Sequence, residues 1–528
     1  MSTLIELSEV RTPTDLHFDP QKFHTFREGQ LEAARRVAAC EKPLALVEAP
    51  TGSGKSLMAF AAHRLMGQPR AAYLVSTKQL QDQIEHDFNV PVLKGRNNYP
   101  CLFFKKDFPE VTSEICYEYL DGDECELDGV CPYKMKKREA LSAPICVLNY
   151  PLFLTEANYV ERFSSLGYLI MDEVDSVEDH LMSFIQVRVT GRLIDRLKLG
   201  VPEFKTKLEA QKKWVERSAL RVEEEVKKTT LPPNPTPTQI KSFIRLKRSY
   251  KKLQFLLEEL DDKWVMEQEG PPGKPTSITF KPVKVESYAR EYLWRHTAKT
   301  LGMSATIIGP TAMAMELGLH SWDVESFSLS SPFPVEDRLV NYIPVANVTH
   351  KSKETAYPLL SRAVSEILKK HPKEKVLVHA VSYELRNFLR DNIRPNNHDL
   401  LTHEKANRAE VLERFKKYPR PVVLISPSME RGVDLPGDLC RIIVVTKVPY
   451  PDLGSPQINK RVHSFSDGSM WYARRTARSL VQMTGRATRF QGDWSVSYIL
   501  DSQFGNLVSR NGAIFPNWWR SAVRSGTL

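Results

Sequence analysis

Short apolar runs recur along the chain with helix-patterned segments between them. Leu44–Glu48, Ala71–Ser76, Ile145–Leu148, Leu166–Met171, Leu301–Ser304, Val376–Val381, Val422–Ser426, Ile442–Thr446 and Ser495–Leu500 are all of strand length. They are near-continuously apolar rather than alternating, as in strands buried on both faces. Strands of that kind separated by helices build parallel sheets covered on both sides. The set is too large for one typical sheet, so two are expected, and the fold class is α/β.

Two stretches break this rhythm. Residues 97–143 hold many aromatics and several cysteines but no long periodic segment. Residues 178–278 are rich in Lys and Glu and carry two helical patterns. In the second, Phe243, Leu246, Tyr250, Leu253, Leu257, Leu260 and Trp264 step by three and four, which predicts a heptad seam. In the first, Phe204, Leu208, Val215, Ala219, Val222 and Val226 form a weaker seam. The proline-rich stretch Leu231–Thr238 between them breaks a helix, so the two are expected to form an antiparallel hairpin.

Composition narrows the class. The chain has 528 residues, with 41% hydrophobic and 26% charged, an ordinary globular balance that excludes a disordered chain or a fibre. No run reaches the roughly 18 apolar residues of a membrane helix. Met1–Val10 lacks the basic start of a signal peptide, so the chain reads as soluble and cytoplasmic. The 74 basic residues exceed the 64 acidic ones, giving a net charge of +10 that leans toward a polyanionic partner.

Ala49-Pro-Thr-Gly-Ser-Gly-Lys-Ser56 follows the first apolar run and opens a helical one. This is the phosphate-loop form, with Ala where the first Gly often stands. Gly52, Ser53 and Gly54 would turn backbone N–H groups onto phosphate oxygens, and the following helix adds its positive end. Lys55 would reach the β- and γ-phosphates, and the Ser56 hydroxyl would ligate Mg²⁺. Downstream, the run ending in Asp172-Glu-Val-Asp175 places acids at the carboxyl end of a strand, where parallel sheets bind ligands. Asp172 would hold the magnesium and Glu173 would polarise the attacking water; together with the phosphate loop they indicate an NTPase. Far downstream, Gln482-Met-Thr-Gly-Arg-Ala-Thr-Arg489 places Arg486 and Arg489 on one helix face, suited to clamping a γ-phosphate.

Seven cysteines occur, and four of them, Cys101, Cys116, Cys125 and Cys131, are separated by 14, 8 and 5 residues. An odd total without a secretory signal argues against a disulfide framework. Four thiolates can hold zinc or a [4Fe–4S] cluster. The tight Cys-x₂₋₄-Cys pairs usual in structural zinc sites are absent, and the wide spacing suits a cuboidal cluster. Cys40, Cys146 and Cys440 lie on helix or strand patterns and read as core. After Cys131 come Lys134, Lys136, Lys137 and Arg138, near Tyr99, Phe103, Phe104, Tyr117 and Tyr133. Basic groups interleaved with aromatics can hold single-stranded nucleic acid, or can be a solvated run beside packed rings. Arg474, Arg475 and Arg478 carry the same two readings.

These residues together resemble the XPD/DinG-type helicases, iron–sulfur members of helicase superfamily 2, over most of the chain and in the family's motif order. Phe26-Arg-Glu-Gly-Gln30 resembles the upstream adenine-recognition element, with Gln30 as reader. Ser76-Thr-Lys-Gln-Leu80 resembles motif Ia, whose Thr77 and Lys78 would touch a nucleic-acid backbone. Gly302-Met-Ser-Ala-Thr306 is similar to motif III, Ser331-Pro-Phe333 to the entry of the second motor domain, and Ser426–Asp434 to motif V, with Asp434 at the nucleotide. Pro449-Tyr-Pro451 fits the proline turn after it. Residues 482–489 resemble motif VI, so Arg486 and Arg489 would be arginine fingers. The Cys125–Tyr133 stretch resembles the family's cluster domain.

The resemblance implies two RecA-like motor domains, with an iron–sulfur domain and a helical arch inserted in the first. The expected boundaries are 1–96, 144–177 and 279–330 for the first motor domain, 97–143 for the iron–sulfur domain, 178–278 for the arch and 331–528 for the second motor domain. It implies ATP, Mg²⁺ and a [4Fe–4S] cluster as cofactors. The implied partners are single-stranded and tailed duplex DNA, with RNA–DNA hybrids as a further candidate and a monomeric motor moving 5′→3′. A translocase that strips protein or RNA from DNA, and a binding scaffold with a vestigial ATPase, are the rival readings. One departure stands out: Asp175 occupies the place of the family's usual His. That leaves the metal and water roles intact and the coupling contact open.

Overall fold

The computed structural model describes residues 10–527 apart from 117–124, 161, 233, 272, 430–434, 486, 487, 489 and 491. Sixteen strands are present among them: β1 Leu44–Glu48, β2 Ala71–Val75, β3 Ile145–Asn149, β4 Leu166–Asp172, β5 Val187–Thr190, β6 Trp264–Glu269, β7 Ser277–Pro282, β8 Thr297–Ser304, β9 Val324–Ser328, β10 Arg338–Ala346, β11 Val376–His379, β12 Asp399–Thr402, β13 Val422–Ser426, β14 Ile442–Val445, β15 Ser495–Asp501 and β16 Val523–Ser525. They form a sheet in the order β3-β2-β4-β8-β1-β9, a second in the order β12-β13-β11-β14-β15-β10-β16, and a small third sheet, β5-β7-β6. The two large sheets pair in parallel throughout, as the apolar runs predict.

Alternation along each strand builds two cores. In the first sheet, Leu44, Leu46, Ala72 and Leu74 face one cluster, while Ala45, Val47, Ala71, Tyr73 and Val75 face the other. Both are nearly closed to water, which is why the sequence shows unbroken apolar runs instead of alternation. In the second sheet, Val376 and Val378 face one core and Leu377 the opposite one. Cys40, Cys146 and Cys440 are buried, in agreement with their core assignment.

The antiparallel third sheet was not foreseen. β5 and β6 lie inside the charged 178–278 stretch and β7 runs past its end; Lys and Glu in this region mask the period-two pattern of Val187-Arg-Val-Thr190. The expected hairpin is present, as helices Leu208–Lys228 and Pro237–Glu259 that pack together. Its second helix starts inside the proline-rich breaker: Thr236 caps it, exchanging hydrogen bonds with Gln239, and Pro237 sits in its first turn.

The expected seam needs correction. Leu246 and Leu253 are buried, but Leu257 is exposed and Trp264 belongs to β6, beyond the helix end at Glu259. In the first helix Trp214 joins Val215, Ala219 and Val222, while Phe204 lies outside it and is exposed. The first half of helix Pro237–Glu259 turns Ile240 and Ile244 elsewhere, onto Cys101, Val111 and Ile115. A straight α-helix drifts from a 3.5-residue repeat, so a 23-residue helix can present different faces to two neighbours.

No helix among the described residues is long and apolar enough to cross a membrane.

Candidate nucleotide site and cysteine cavity

The phosphate loop connects β1 to helix Lys55–Leu65. Gly52 and Gly54 have φ of 79° and 75°, in the left-handed region that glycine enters without strain. Gly54 has a second reason to lack a side chain: a Cβ there would stand 2.3 Å from Gln30 Nε2. Ser53 Oγ is buried with no partner among the described residues, an unused hydroxyl donor in a loop shaped for phosphate oxygens. Lys55 Nζ lies 3.5 Å from the Ala49 carbonyl oxygen.

Gln30 is only 1% exposed. Its Nε2 donates to the Gly54 carbonyl at 2.7 Å, and its Oε1 accepts from the Arg27 N–H at 2.9 Å. The side chain expected to read adenine is therefore committed to the phosphate loop itself. Beside it opens a cleft of about 860 Å³, lined by Arg27, Glu28 and Ser53 from the first motor domain and by Phe333 and Phe490 further along the chain. That size suits a nucleotide. Arg27, Phe327 and Phe333 were not foreseen as lining residues; β9, which carries Phe327, has too mixed a composition to stand out as a strand.

The acids after β4 divide into distinct environments. Asp172 is buried and its pKa is pushed up to about 6, by desolvation first, with Lys55 opposing the shift and Glu173 adding to it. Buried, with Lys55 the one named cation offsetting its charge, this carboxylate and the Ser56 hydroxyl offer the hard oxygen donors that suit magnesium. Glu173 is exposed, with φ of 52°, and accepts a hydrogen bond from the Ser76 hydroxyl. This left-handed conformation of a non-glycine residue costs on the order of 1 kcal/mol or more and is typical of working sites.

Asp175 answers the question left open by the sequence. It is 3% exposed, and Oδ1 accepts from Ser304 Oγ at 2.5 Å. Oδ2 accepts from Gln482 Nε2 at 2.6 Å, and its backbone carbonyl accepts from Arg478 Nη1 at 2.9 Å. One carboxylate thus ties together the acid cluster, the Ser304–Thr306 segment and helix Gly468–Thr484 of the second motor domain.

The same helix makes further interdomain pairs. Arg475 bridges Glu178 at 3.1 Å and Asp179 at 2.8 Å, and Arg474 pairs with Glu316. These arginines bind protein across the cleft, which excludes the strand-tracking surface that they could have formed. Arg486, Arg489 and Asp434 lie outside the described residues, as does Tyr117.

In the cysteine segment, Cys116, Cys125 and Cys131 line one small cavity with Arg96, Tyr133 and Lys134. Cys101 Sγ stands 3.6 Å from Cys116 Sγ. The hydrogen bond between these two thiols pulls the Cys101 pKa down and pushes that of Cys116 up. Among the described residues, no three His, Cys, Asp or Glu side chains form a site for a single metal ion. Three of the four thiols line this cavity and Cys101 stands beside one of them, Cys116; soft sulfur donors so grouped suit a thiophilic metal cluster, with Arg96 and Lys134 placed to offset thiolate charge.

The basic run after Cys131 is largely engaged within the protein. Lys134 pairs with Asp128; Arg138 pairs with Asp128 at 3.3 Å. Lys137 is 12% exposed and bonds Glu156 at 2.5 Å, whose other oxygen accepts from Tyr133 Oη at 2.7 Å. Lys136 pairs with Glu139 at 3.0 Å and keeps a partly open side chain. Lys78 is exposed and bonds Asn98, while Thr77 caps its helix by accepting from Leu80 N–H. The run is therefore not a free basic strip, because each cation found an acid that is distant in sequence or one turn away.

Comparison with known proteins follows the same division. The DEAD/DEAH box helicase family matches residues 27–203, and the helicase C-terminal domain family matches residues 364–522. The chain is 23% identical to the ATP-dependent DNA helicase YoaA of Haemophilus influenzae, over 92% of each chain. It is 26% identical to the ATP-dependent DNA helicase DinG of Photobacterium profundum over 43% of this chain, spanning 35% of that relative. Among solved structures, an XPD helicase is similar with a TM-score of 0.62 at 16% identity, covering 95% of this chain and 99% of that one. Xpd4 of S. tokodaii gives 0.57 at 15% identity, over 95% and 100%. The two helicase families matched in chain order, the YoaA and DinG relatives and the shared fold agree: the chain carries a DEAD/DEAH box helicase domain followed by a helicase C-terminal domain, is similar to the XPD/DinG-type helicases of superfamily 2, and is an ATP-dependent enzyme.

Proposed function

We propose that the protein is a DNA helicase that unwinds duplexes by moving 5′→3′ along a single strand. The observation that supports a working motor best is Asp175, which ties the acid cluster to the second motor domain through Ser304 and Gln482. DNA as substrate rests on the relatives' description as DNA helicases, and polarity rests on the family resemblance.

In this reading the phosphate loop, Lys55 and Ser56 hold the nucleotide. Asp172 and Ser56 hold magnesium, which neutralises phosphate charge when bound. Glu173 orients water, Gln30 reports occupancy of the adenine pocket through the loop, and Arg486, Arg489 and Asp434 approach from the second motor domain. Closure of the cleft moves that domain along the strand, and opening after hydrolysis resets it. Cys101, Cys116, Cys125 and Cys131 hold a [4Fe–4S] cluster that braces residues 97–143 as a wedge beside the arch, 178–278. The proposed domain boundaries are those read from the sequence. Lys78 and Lys136, the more open cations, are the better candidates for backbone contacts; Lys137 would have to leave Glu156 first.

The test compares 5′-tailed, 3′-tailed, forked and RNA–DNA hybrid substrates in a strand-separation assay. The expected result is ATP-dependent separation of 5′-tailed DNA. Hydrolysis without separation of any substrate would favour a translocase, and DNA binding without hydrolysis a scaffold. Cys125→Ser is expected to lose iron and strand separation while ATP hydrolysis persists. A variant that separates strands normally would remove the wedge from the mechanism.

A further inference from the structure

Tyr73 sits on β2 and is completely buried. Its ring stacks on Phe60 of helix Lys55–Leu65, with centroids 5.3 Å apart and an interplanar angle of 13°. Phe60 stacks in turn on Phe88 at 4.2 Å. Met58, Ala59, Ile170 and Met303 belong to the same apolar cluster. Phenylalanine would satisfy such a core without the cost of burying a hydroxyl, and a buried tyrosine normally carries its oxygen to a polar partner. Here the oxygen emerges at the nucleotide site. Tyr73 Oη lies 3.4 Å from Ser56 Oγ, and the Asp172 carboxylate is close enough that, after burial, its charge is the next cause holding the phenol protonated.

These are the two side chains assigned above to magnesium. They come from different elements, the helix after the phosphate loop and the end of β4, and Tyr73 stands on the strand paired with β4. We propose that Tyr73 is a positioning residue of the magnesium site, whose hydroxyl orients Ser56 before the ion arrives. This rests on the nucleotide-site reading given above and extends it. Groups that hydrogen-bond metal ligands fix the ligands' orientation, and their loss commonly weakens metal affinity by roughly 10–100-fold.

The test uses the full-length protein and fluorescent N-methylanthraniloyl-ADP, with magnesium titrated against nucleotide binding. Tyr73→Phe keeps the ring stack and removes one oxygen. It is expected to raise the magnesium concentration at half-effect roughly tenfold, while nucleotide binding without magnesium and the unfolding midpoint stay close to wild type. Ser56→Ala is the companion variant. If Tyr73 acts through Ser56, the double variant responds to magnesium much as Ser56→Ala alone does; independent, additive losses would overturn the proposal. If Ser56→Ala weakens the magnesium effect and Tyr73→Phe does not, Tyr73 has no positioning role and the nucleotide site stands. If neither variant changes the magnesium effect, the assignment of Ser56 itself fails, and the proposal with it.

Discussion

Replacing Lys55 by alanine is expected to lower ATP turnover by roughly 10²–10³-fold, the usual cost of removing one preorganised group from a transition state that is stabilised electrostatically. The lysine opens helix Lys55–Leu65, beside the loop where Gly52 and Gly54 take left-handed conformations. Its charge already opposes the upward shift of the buried Asp172. Without it, the phosphate loses its only expected lysine contact and Asp172 loses its nearest named cation. The surrounding core does not depend on Lys55, because the helix buries Leu57, Met58, Phe60, Ala61 and Leu65 instead. Folding and single-stranded DNA binding are therefore expected to survive. Phosphate release under saturating ATP is the measurement, and turnover within a few-fold of wild type would place the catalytic centre elsewhere.

Asp175→Asn is expected to cost roughly 10–100-fold in DNA-stimulated turnover while nucleotide binding to the first motor domain persists. The aspartate accepts from two donors, Ser304 Oγ on one oxygen and Gln482 Nε2 on the other. Asparagine offers one carbonyl oxygen and one amide nitrogen, so either Gln482 loses its acceptor or Ser304 must turn its hydroxyl round to accept from the amide, giving up its own donation. A buried donor left unpaired costs about 1–3 kcal/mol, and each 1.4 kcal/mol is about a factor of ten. That cost falls on the closed arrangement, since Gln482 reaches Asp175 only when the second motor domain is docked. Nucleotide affinity measured beside turnover separates the two effects: a parallel loss of both would mean that Asp175 acts on the site and not on closure.

Much of the catalytic chemistry was readable because it is local. A phosphate loop needs its glycines, lysine and hydroxyl within eight consecutive residues, and the run ending at Asp172 needs only a strand before it. Nine of the thirteen strands in the two parallel sheets were readable for a similar reason, since burial on both faces leaves a continuous apolar run; in β9, β10, β12 and β16 partly exposed residues break that run. β5, β6 and β7 were not, because a small antiparallel sheet among charged helices has no such run. The heptad seam misled for a related reason. Its spacing picked out the buried Leu246 and Leu253 but also the exposed Leu257, and it passed over Ile240 and Ile244, which turn toward the cysteine segment.

Charge was the least readable property. Lys134, Lys137 and Arg138 look like a solvated basic run, yet their partners, Asp128 and Glu156, pin them into the domain. Arg474, Arg475 and Arg478 look like a binding face and instead hold the motor domains together. An ion pair depends on which acid the fold brings near, and Arg475 and Glu178 are almost 300 residues apart.

By itself, the sequence determined the α/β class, the two parallel sheets, and the phosphate loop with its acid cluster. Each is encoded in contiguous residues, whose spacing and polarity are set by covalent geometry and burial. The tertiary structure decided what Asp175 couples, where Gln30 spends its hydrogen bonds, which cations remain open and why β2 carries a tyrosine. Those properties belong to pairs of residues far apart in the chain, and only folding brings their atoms within bonding distance.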